Sequence, residues 1–555
     1  PERKVEKWQD LPEGFGPVGA LETSPDGKSL AVGRGKKIEL FDLSSKDVNR
    51  TGTWEGHRDE VRSLAWSPDG KAMASGGFGK VVVWDANSGK KKSILEEGLS
   101  GRISALTFAG EKGEWLVAAD GEPTVAGRLV VFEAASGKRT KTIRAHGDSI
   151  YDLDVGPNGK LLASASSDKL TKLWKIGSWE SAGTLEGHTE YVLAAAFAPD
   201  GERIATAGAD ASVKAWKVKT RKEFSTFSGR AAKLSKTALL WKEDPTKEKP
   251  GKDDDWIVAA GEDGIPRTFT KLVEHEGAQT STGATEKTWS KDGKGLTSVA
   301  YSKAAKQVVT GDWEGVATLR DLSGKVLRKL EPNDDANDTK PARGENPISF
   351  RNDVLPVLAR EGCASGSCHA KAGGRNGFQL SIFSFDPESD HREIVRDSRG
   401  RRIMPAAPEA SLLLRKATLA IDHEGGKRFD ENSSHYKLLR DWIAQGAPYS
   451  VPDEPSLESL SAKPATGRYK KKQKVKLQVT ARYSDDSERD VTQLSEYQSN
   501  EEGMATVVED GTVTLGNQSG EGVIVVRYVD EVALVRLAVP VDKILPTDVY
   551  SGLPA

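Results

Sequence analysis

Only two cysteines occur in 555 residues, and both lie in Gly362-Cys363-Ala364-Ser365-Gly366-Ser367-Cys368-His369. A thiol pair with a histidine directly behind the second thiol supports three chemistries. The thiols can add across the two vinyl groups of a haem to make thioether links, while the adjacent histidine supplies an axial nitrogen to the iron. They can instead close a disulfide in an oxidising compartment. They can also serve zinc, which needs four ligands and therefore a second pair at similar spacing; no such pair is evident. The usual haem attachment motif has two residues between its cysteines, so the two extra residues here must bulge outward to present both sulfurs. Met404, His391, His423 and His435 are the candidates for the far side of an iron at this motif.

These residues need elements to hold them. Phe350, Val354, Val357 and Leu358 recur at i, i+4, i+7 and i+8, which predicts a helix running into the first cysteine. Leu438, Leu439, Trp442 and Ile443 form a second apolar stripe, with Ser434 as its cap and Gly446 and Pro448 as its stop. His391, between Asp390 and Arg392, and His435, at the opening of that second helix, read as solvated surface residues. The polar, turn-forming run from Glu331 to Asp338 reads as a linker in front of the first helix.

From Phe350-Arg351-Asn352-Asp353-Val354-Leu355-Pro356-Val357-Leu358 through Cys363 to His369, the segment resembles the planctomycete-type cytochrome c family. The likeness continues through Pro408-Glu409-Ala410-Ser411-Leu412-Leu413-Leu414 and ends in Leu438-Leu439-Arg440-Asp441-Trp442-Ile443-Ala444-Gln445-Gly446-Ala447-Pro448. That family is known for the longer cysteine spacing. The resemblance implies a small helical domain carrying one covalent haem c through Cys363, Cys368 and His369, with its first and last helices packed together beside the haem. Short members set a Met-Pro-Pro ligand ahead of the last tryptophan. Counting back from Trp442, that place falls in Ile421-Asp422-His423-Glu424-Gly425, which has no methionine, so His423 is the expected distal ligand and Met404 the runner-up. Six-coordinate iron leaves no place for a substrate, so an electron carrier is expected and not a catalyst. Haem attachment of this type occurs on the extracytoplasmic side of bacterial membranes, which implies a periplasmic or envelope protein.

The chain before this segment repeats. Ser24-Pro25-Asp26-Gly27 recurs as Ser67-Pro68-Asp69-Gly70, Gly156-Pro157-Asn158-Gly159 and Ala198-Pro199-Asp200-Gly201, with Gly110-Glu111-Lys112-Gly113 between. Each turn sits between short apolar strands, and a third strand ends in Phe41, Trp84, Phe132, Trp174 or Trp216. Two weaker units follow, one from about Thr237 to Phe269 with a charged insert, the other from Leu296 to Asp321. Strands at this period are the signature of propeller blades, and the units resemble the WD40 family, with Gly56-His57, Ala145-His146 and Gly187-His188 at its Gly-His position. The resemblance implies seven blades, a docking surface, and structural histidines: His146 with Asp168 and Trp174, His188 with Asp210 and Trp216.

After the second helix the period changes to two. Val475, Leu477, Val479, Ala481 and Tyr483 alternate, as do Ala533, Val535, Leu537 and Val539, which predicts a small β-sandwich. The order Thr480-Ala481-Arg482-Tyr483, Asp490-Val491-Thr492 and Ala505-Thr506-Val507-Val508 resembles the bacterial Ig-like group 2 domain. The expected architecture is therefore mainly β and multidomain: a propeller over 1–331, a linker over 332–345, a haem domain over 346–450, an Ig-like sandwich over 451–542 and a tail over 543–555. Net charge is −2, from 80 basic and 82 acidic side chains, which gives no general argument for nucleic acid as a partner. No apolar run is long enough to span a bilayer as a helix. The expected partner is a redox protein or another envelope protein that docks on the propeller.

Overall fold

In the computed structural model, residues 16–541 are described apart from 46, 229–235, 244–254, 271–284, 293–294, 333–346, 366–367, 371–373, 375–376, 452 and 509. The expected linker and tail, and nearly all of the charged insert, lie outside these residues. The described chain divides into two compact units. One holds the residues up to 332 together with Val395–Leu412; the other holds 347–394 and 413–541.

The first unit is seven four-stranded antiparallel sheets, at 18–55, 63–95, 105–146, 150–186, 192–228, 236–288 and 296–330. The innermost strands follow one another around a closed ring, with the first touching the seventh. This is a seven-bladed β-propeller. Blades stack face to face, so inner strands are buried on both sides and lose the alternation of a half-exposed sheet. Val192–Phe197 and Arg203–Gly208 are buried at every position, and their alanines let neighbouring blades approach closely. Outer strands such as Lys91–Leu95 and Val326–Leu330 are mostly exposed, and Lys91, Lys92 and Lys329 discourage pairing with another chain.

The repeated turn has a local cause. Ser24 Oγ donates to Asp26 Oδ1 at 2.6 Å, the amide of Gly27 donates to the Ser24 carbonyl, and Gly27 sits at φ +71°. Ser67, Asp69 and Gly70 repeat the arrangement. Among the described residues each blade is one continuous stretch of chain, so the ring closes without strand exchange. Side chains close it instead: Thr23 Oγ1 donates to the Tyr301 carbonyl, Arg34 Nε to Gly315 and Arg34 Nη2 to Leu330, while Arg34 is also paired with buried Glu39.

The second unit opens with a wide helical turn, Phe350–Val354, that runs into the helix Leu355–Arg360. Phe350, Val354, Val357 and Leu358 are all buried, as their spacing requires. The helix Ser434–Ala444 packs against that turn, with the rings of Phe350 and Trp442 5.6 Å apart. Its cap is Ser433, one residue earlier than expected, whose side chain accepts from the Tyr436 amide. Beyond 457, three sheets share one core that includes Val479, Tyr483, Val491, Val513, Ile524, Val535 and Leu537. This core adjoins the helical part: Tyr528 donates to the Asn352 carbonyl at 3.1 Å, and Arg360 donates to Ser495.

Candidate functional site

The helix Leu355–Arg360 ends in a way that fixes the first cysteine. Gly362, at φ +71°, donates to Ala359, and the Cys363 amide donates to Leu358 at 2.9 Å. This 6→1 and 5→2 pair is a Schellman stop, which only a residue tolerant of left-handed backbone completes cheaply. The chain then loops back on itself. The His369 amide donates to the Cys363 carbonyl at 3.2 Å, and Ser365 accepts from both Cys368 and Ala370. The wider cysteine spacing therefore closes as a bonded loop, of which Gly366 and Ser367 lie outside the described residues.

Both cysteines are half-buried and not joined to each other. Burial pushes the Cys363 thiol up to about 12, against the pull of Arg428. Arg428 Nη2 donates to Cys368 Sγ at 3.1 Å, and its Nη1 donates to the Glu361 carbonyl.

His369 and His423 come together. Their ring centres are 6.2 Å apart and their planes differ by 9°. Each ring is oriented from behind: His369 Nδ1 lies 3.2 Å from the Phe378 carbonyl, and His423 Nδ1 lies 2.9 Å from that of Gly426. A carbonyl accepts only, so each Nδ1 is the protonated nitrogen, and in the neutral ring Nε2 carries the lone pair. The His423 turn is held by the Gly426 amide donating back to His423, and by Arg428 donating to Ala417. A side chain at Gly425 would meet the His423 ring at 2.8 Å, so that position must stay small.

The other candidates are elsewhere. Met404 is buried within Val395–Leu412, a segment of the propeller unit, with its amide on Ser411 Oγ. His391 is not the solvated residue expected from its charged neighbours. It is buried against Phe350, Trp442 and Tyr449, and Nε2 lies 2.8 Å from the Ala447 carbonyl. His435 is half-buried and paired with Glu361. Among the described residues no group of three or more His, Cys, Asp or Glu side chains gathers as a metal cluster.

The propeller histidines form a different system. His146 Nδ1 bonds Asp168 at 2.9 Å, and its Nε2 meets Ser164 Oγ at 2.7 Å, which also accepts from Trp174 Nε1. His188, Asp210, Thr206 and Trp216 repeat it with the same separations along the chain. The family model described as WD domain, G-beta repeat matches residues 49–85, 137–175 and 179–217, spans that contain His57 with Trp84 and both of these relays. The chain carries WD40 repeats. A WD repeat-containing protein 3 homolog from Dictyostelium discoideum is 25% identical over 152 residues, which covers 25% of this chain. The chain spans 15% of that relative's length.

The WD40 relays vary from blade to blade in an instructive way. Burial pushes the Asp210 carboxyl up, but hydrogen bonds from His188, Ser212 and Thr189 outweigh this and hold it at about 2. His57 reaches Ser75 and Trp84 through the same hydroxyl link, but Gly77-Phe78-Gly79 stands where the turn aspartate would be. Its buried Nδ1 has no partner, and burial together with Lys80 and Lys91 drives the imidazole down to about 3. In the unfolded chain this histidine binds a proton below about pH 6.5, whereas in the folded blade it stays neutral. Stability should therefore fall by about 1.4 kcal/mol per pH unit between pH 6 and 4 from His57 alone. Denaturant unfolding of the parent and of His57→Gln at pH 7, 6 and 5 checks this, since the variant should lose that part of the slope. The hydroxyls at Ser75, Ser164 and Thr206 were not singled out from sequence, although each lies two residues beyond the strand residue paired with its tryptophan.

Proposed function

We propose that the chain is a monohaem c-type cytochrome of the bacterial envelope that relays electrons, with its WD40 propeller and an Ig-like sandwich as docking and spacing modules. The observation that supports this most is the paired imidazoles of His369 and His423. Two imidazoles bound on opposite sides of one metal through bonds of about 2.0 Å would have ring centres roughly 6.3 Å apart. The observed 6.2 Å matches that separation, and the carbonyl behind each Nδ1 makes Nε2 the nitrogen that would coordinate. Bound there, a haem supplies a one-electron couple, which two histidine ligands set lower than a histidine–methionine pair would.

The protein residues divide the work. Cys363 and Cys368 would hold the haem through two thioether sulfurs, a linkage that consumes no oxidant. His369 is fixed beside them by the loop closure on Cys363, and His423 by its own turn. Arg428, on Cys368 and the Glu361 carbonyl, holds the His423 loop close to the attachment loop and keeps a positive charge beside the site. If His369 and His423 both held the iron, no place would be left on it for a small substrate, which favours a carrier over an enzyme.

A second reading is favoured by the WD40 matches alone: an interaction scaffold in which haem is secondary or sensory. The visible spectrum of reduced protein made with a haem-maturation system, taken with and without carbon monoxide, separates the two. Sharp bands that survive denaturing extraction and ignore carbon monoxide are expected of the carrier. A carbon monoxide shift would point to an open, sensory iron, and absence of haem would leave the scaffold.

A further inference from the structure

Asparagine is scarce in this chain, with 11 residues in 555. Four of them, Asn49, Asn337, Asn432 and Asn517, have serine or threonine two positions on and no proline between. That spacing is the acceptor pattern for glycosylation of an asparagine carboxamide outside the cytoplasm. Three of the four also have aspartate two positions ahead, in Asp47-Val48-Asn49-Arg50-Thr51, Asp335-Ala336-Asn337-Asp338-Thr339 and Asp430-Glu431-Asn432-Ser433-Ser434. The fourth, Asn517, has Leu515 in that place. The copy at 335–339 lies outside the described residues.

Turns favour Asp and Asn for backbone reasons, and the two described copies differ in what their side chains already do. At Asn49 the hydroxyl is committed, because Thr51 Oγ1 donates to the Leu40 carbonyl at 3.3 Å inside the first blade. Around Asn432 it is not. The Ser433 amide donates to the Asp430 carbonyl at 3.0 Å, which closes a turn with Glu431 and Asn432 at its corner. Ser433 then caps the helix Ser434–Ala444. Neither the turn nor the cap uses the Ser434 hydroxyl. Asn432 and Ser434 are both exposed, and neither side chain has a partner among the described residues. Asp430 is exposed too, and its pair with Lys427 is a surface contact of little strength. A carboxylate, a carboxamide and a hydroxyl therefore stand open to solvent at two-residue intervals.

We propose that Asn432 is an acceptor for an oligosaccharide carried on a polyprenyl pyrophosphate, with Asp430 and Ser434 as the handles that a transferase reads. The carboxamide Nδ2 bonds to the anomeric carbon of the first sugar, and the bond from that carbon to the pyrophosphate oxygen breaks. The Nδ2 proton goes to a base of the transferase, and polyprenyl pyrophosphate leaves. Nothing is oxidised or reduced. The assignment rests on the extracytoplasmic location proposed above, but not on the haem.

The test exports the full chain to the periplasm of a bacterium that holds an asparagine oligosaccharyltransferase and its lipid-linked oligosaccharide, and reads tryptic peptides by mass. The peptide Phe429–Lys437 is expected to carry one oligosaccharide, while Asn517, which is also exposed, stays bare. Asp430→Ala should slow the modification roughly tenfold, the worth of one charge-assisted hydrogen bond. Ser434→Ala should abolish it and Ser434→Thr should keep it; both leave Ser433 to cap the helix. An unmodified Phe429–Lys437 in exported chain, with or without haem on the 361–370 peptide, would overturn the proposal. So would Asn517 modified as heavily as Asn432, or indifference to Asp430→Ala, because the carboxylate would then not be read. Haem without the oligosaccharide leaves the cytochrome reading standing, and the oligosaccharide without haem leaves this one.

Discussion

His423→Ala is expected to change haem-loaded protein from indifferent to carbon monoxide to fully responsive, with the covalent haem content unchanged. The proposed attachment residues Cys363, Cys368 and His369 belong to one bonded loop, which the substitution does not touch. The ring removed lies 6.2 Å from that of His369, so under the proposed ligation its loss would free a coordination position and leave His369 in place. Titration of the reduced variant with carbon monoxide should saturate in proportion to haem. Met404→Leu is the matched control, since Met404 is buried within the propeller unit, and it should leave the parent's indifference in place. A His423→Ala protein that still ignores carbon monoxide would remove His423 from the ligand set.

Asp292→Ala should cost about 3–5 kcal/mol, the largest stability effect expected in the propeller. The seventh blade has replaced the His–hydroxyl–Trp relay with charges: Thr310 takes the hydroxyl position and donates to Asp292, and fully buried Arg320 takes the tryptophan's. Arg320 also donates to the carbonyls of Ser290 and Gly324 and to Ser290 Oγ, but Asp292 carries its compensating charge. Truncating Asp292 strands that charge away from water, whereas replacing both residues by leucine removes the demand as well as the supply. Denaturant unfolding should therefore rank Asp292→Ala well below the double leucine variant. A loss near 1 kcal/mol, typical of an exposed pair, would contradict the account.

Both expectations mark where the sequence was and was not legible. The propeller was readable because a Pro-Asp-Gly or Pro-Asn-Gly turn and a terminal aromatic punctuate four of its blades, and the second helix because Leu439, Trp442 and Ile443 share one face. The seventh-blade substitution was not readable, because Arg320 and Asp292 look like ordinary surface charges until the register sets them opposite Thr310. His391 misled for the same reason: charged neighbours in sequence say nothing of Phe350 and Trp442, which are distant in the chain. The pairing of His423 with His369 was anticipated from a family's ligand position and not from any local pattern. The Arg399-Gly400-Arg401-Arg402 run passed unnoticed, since a basic run reads as solvated unless the acceptors from other blades are known.

The central claim, covalent haem on Cys363 and Cys368, is tested most directly by the mass of the denatured protein after co-production with a haem-maturation system. The chain is expected to gain the mass of one haem, a proteolytic peptide spanning 361–370 to carry it, and Cys363→Ser with Cys368→Ser to abolish it. An unmodified mass for the parent, with both thiols free to alkylate, would contradict it.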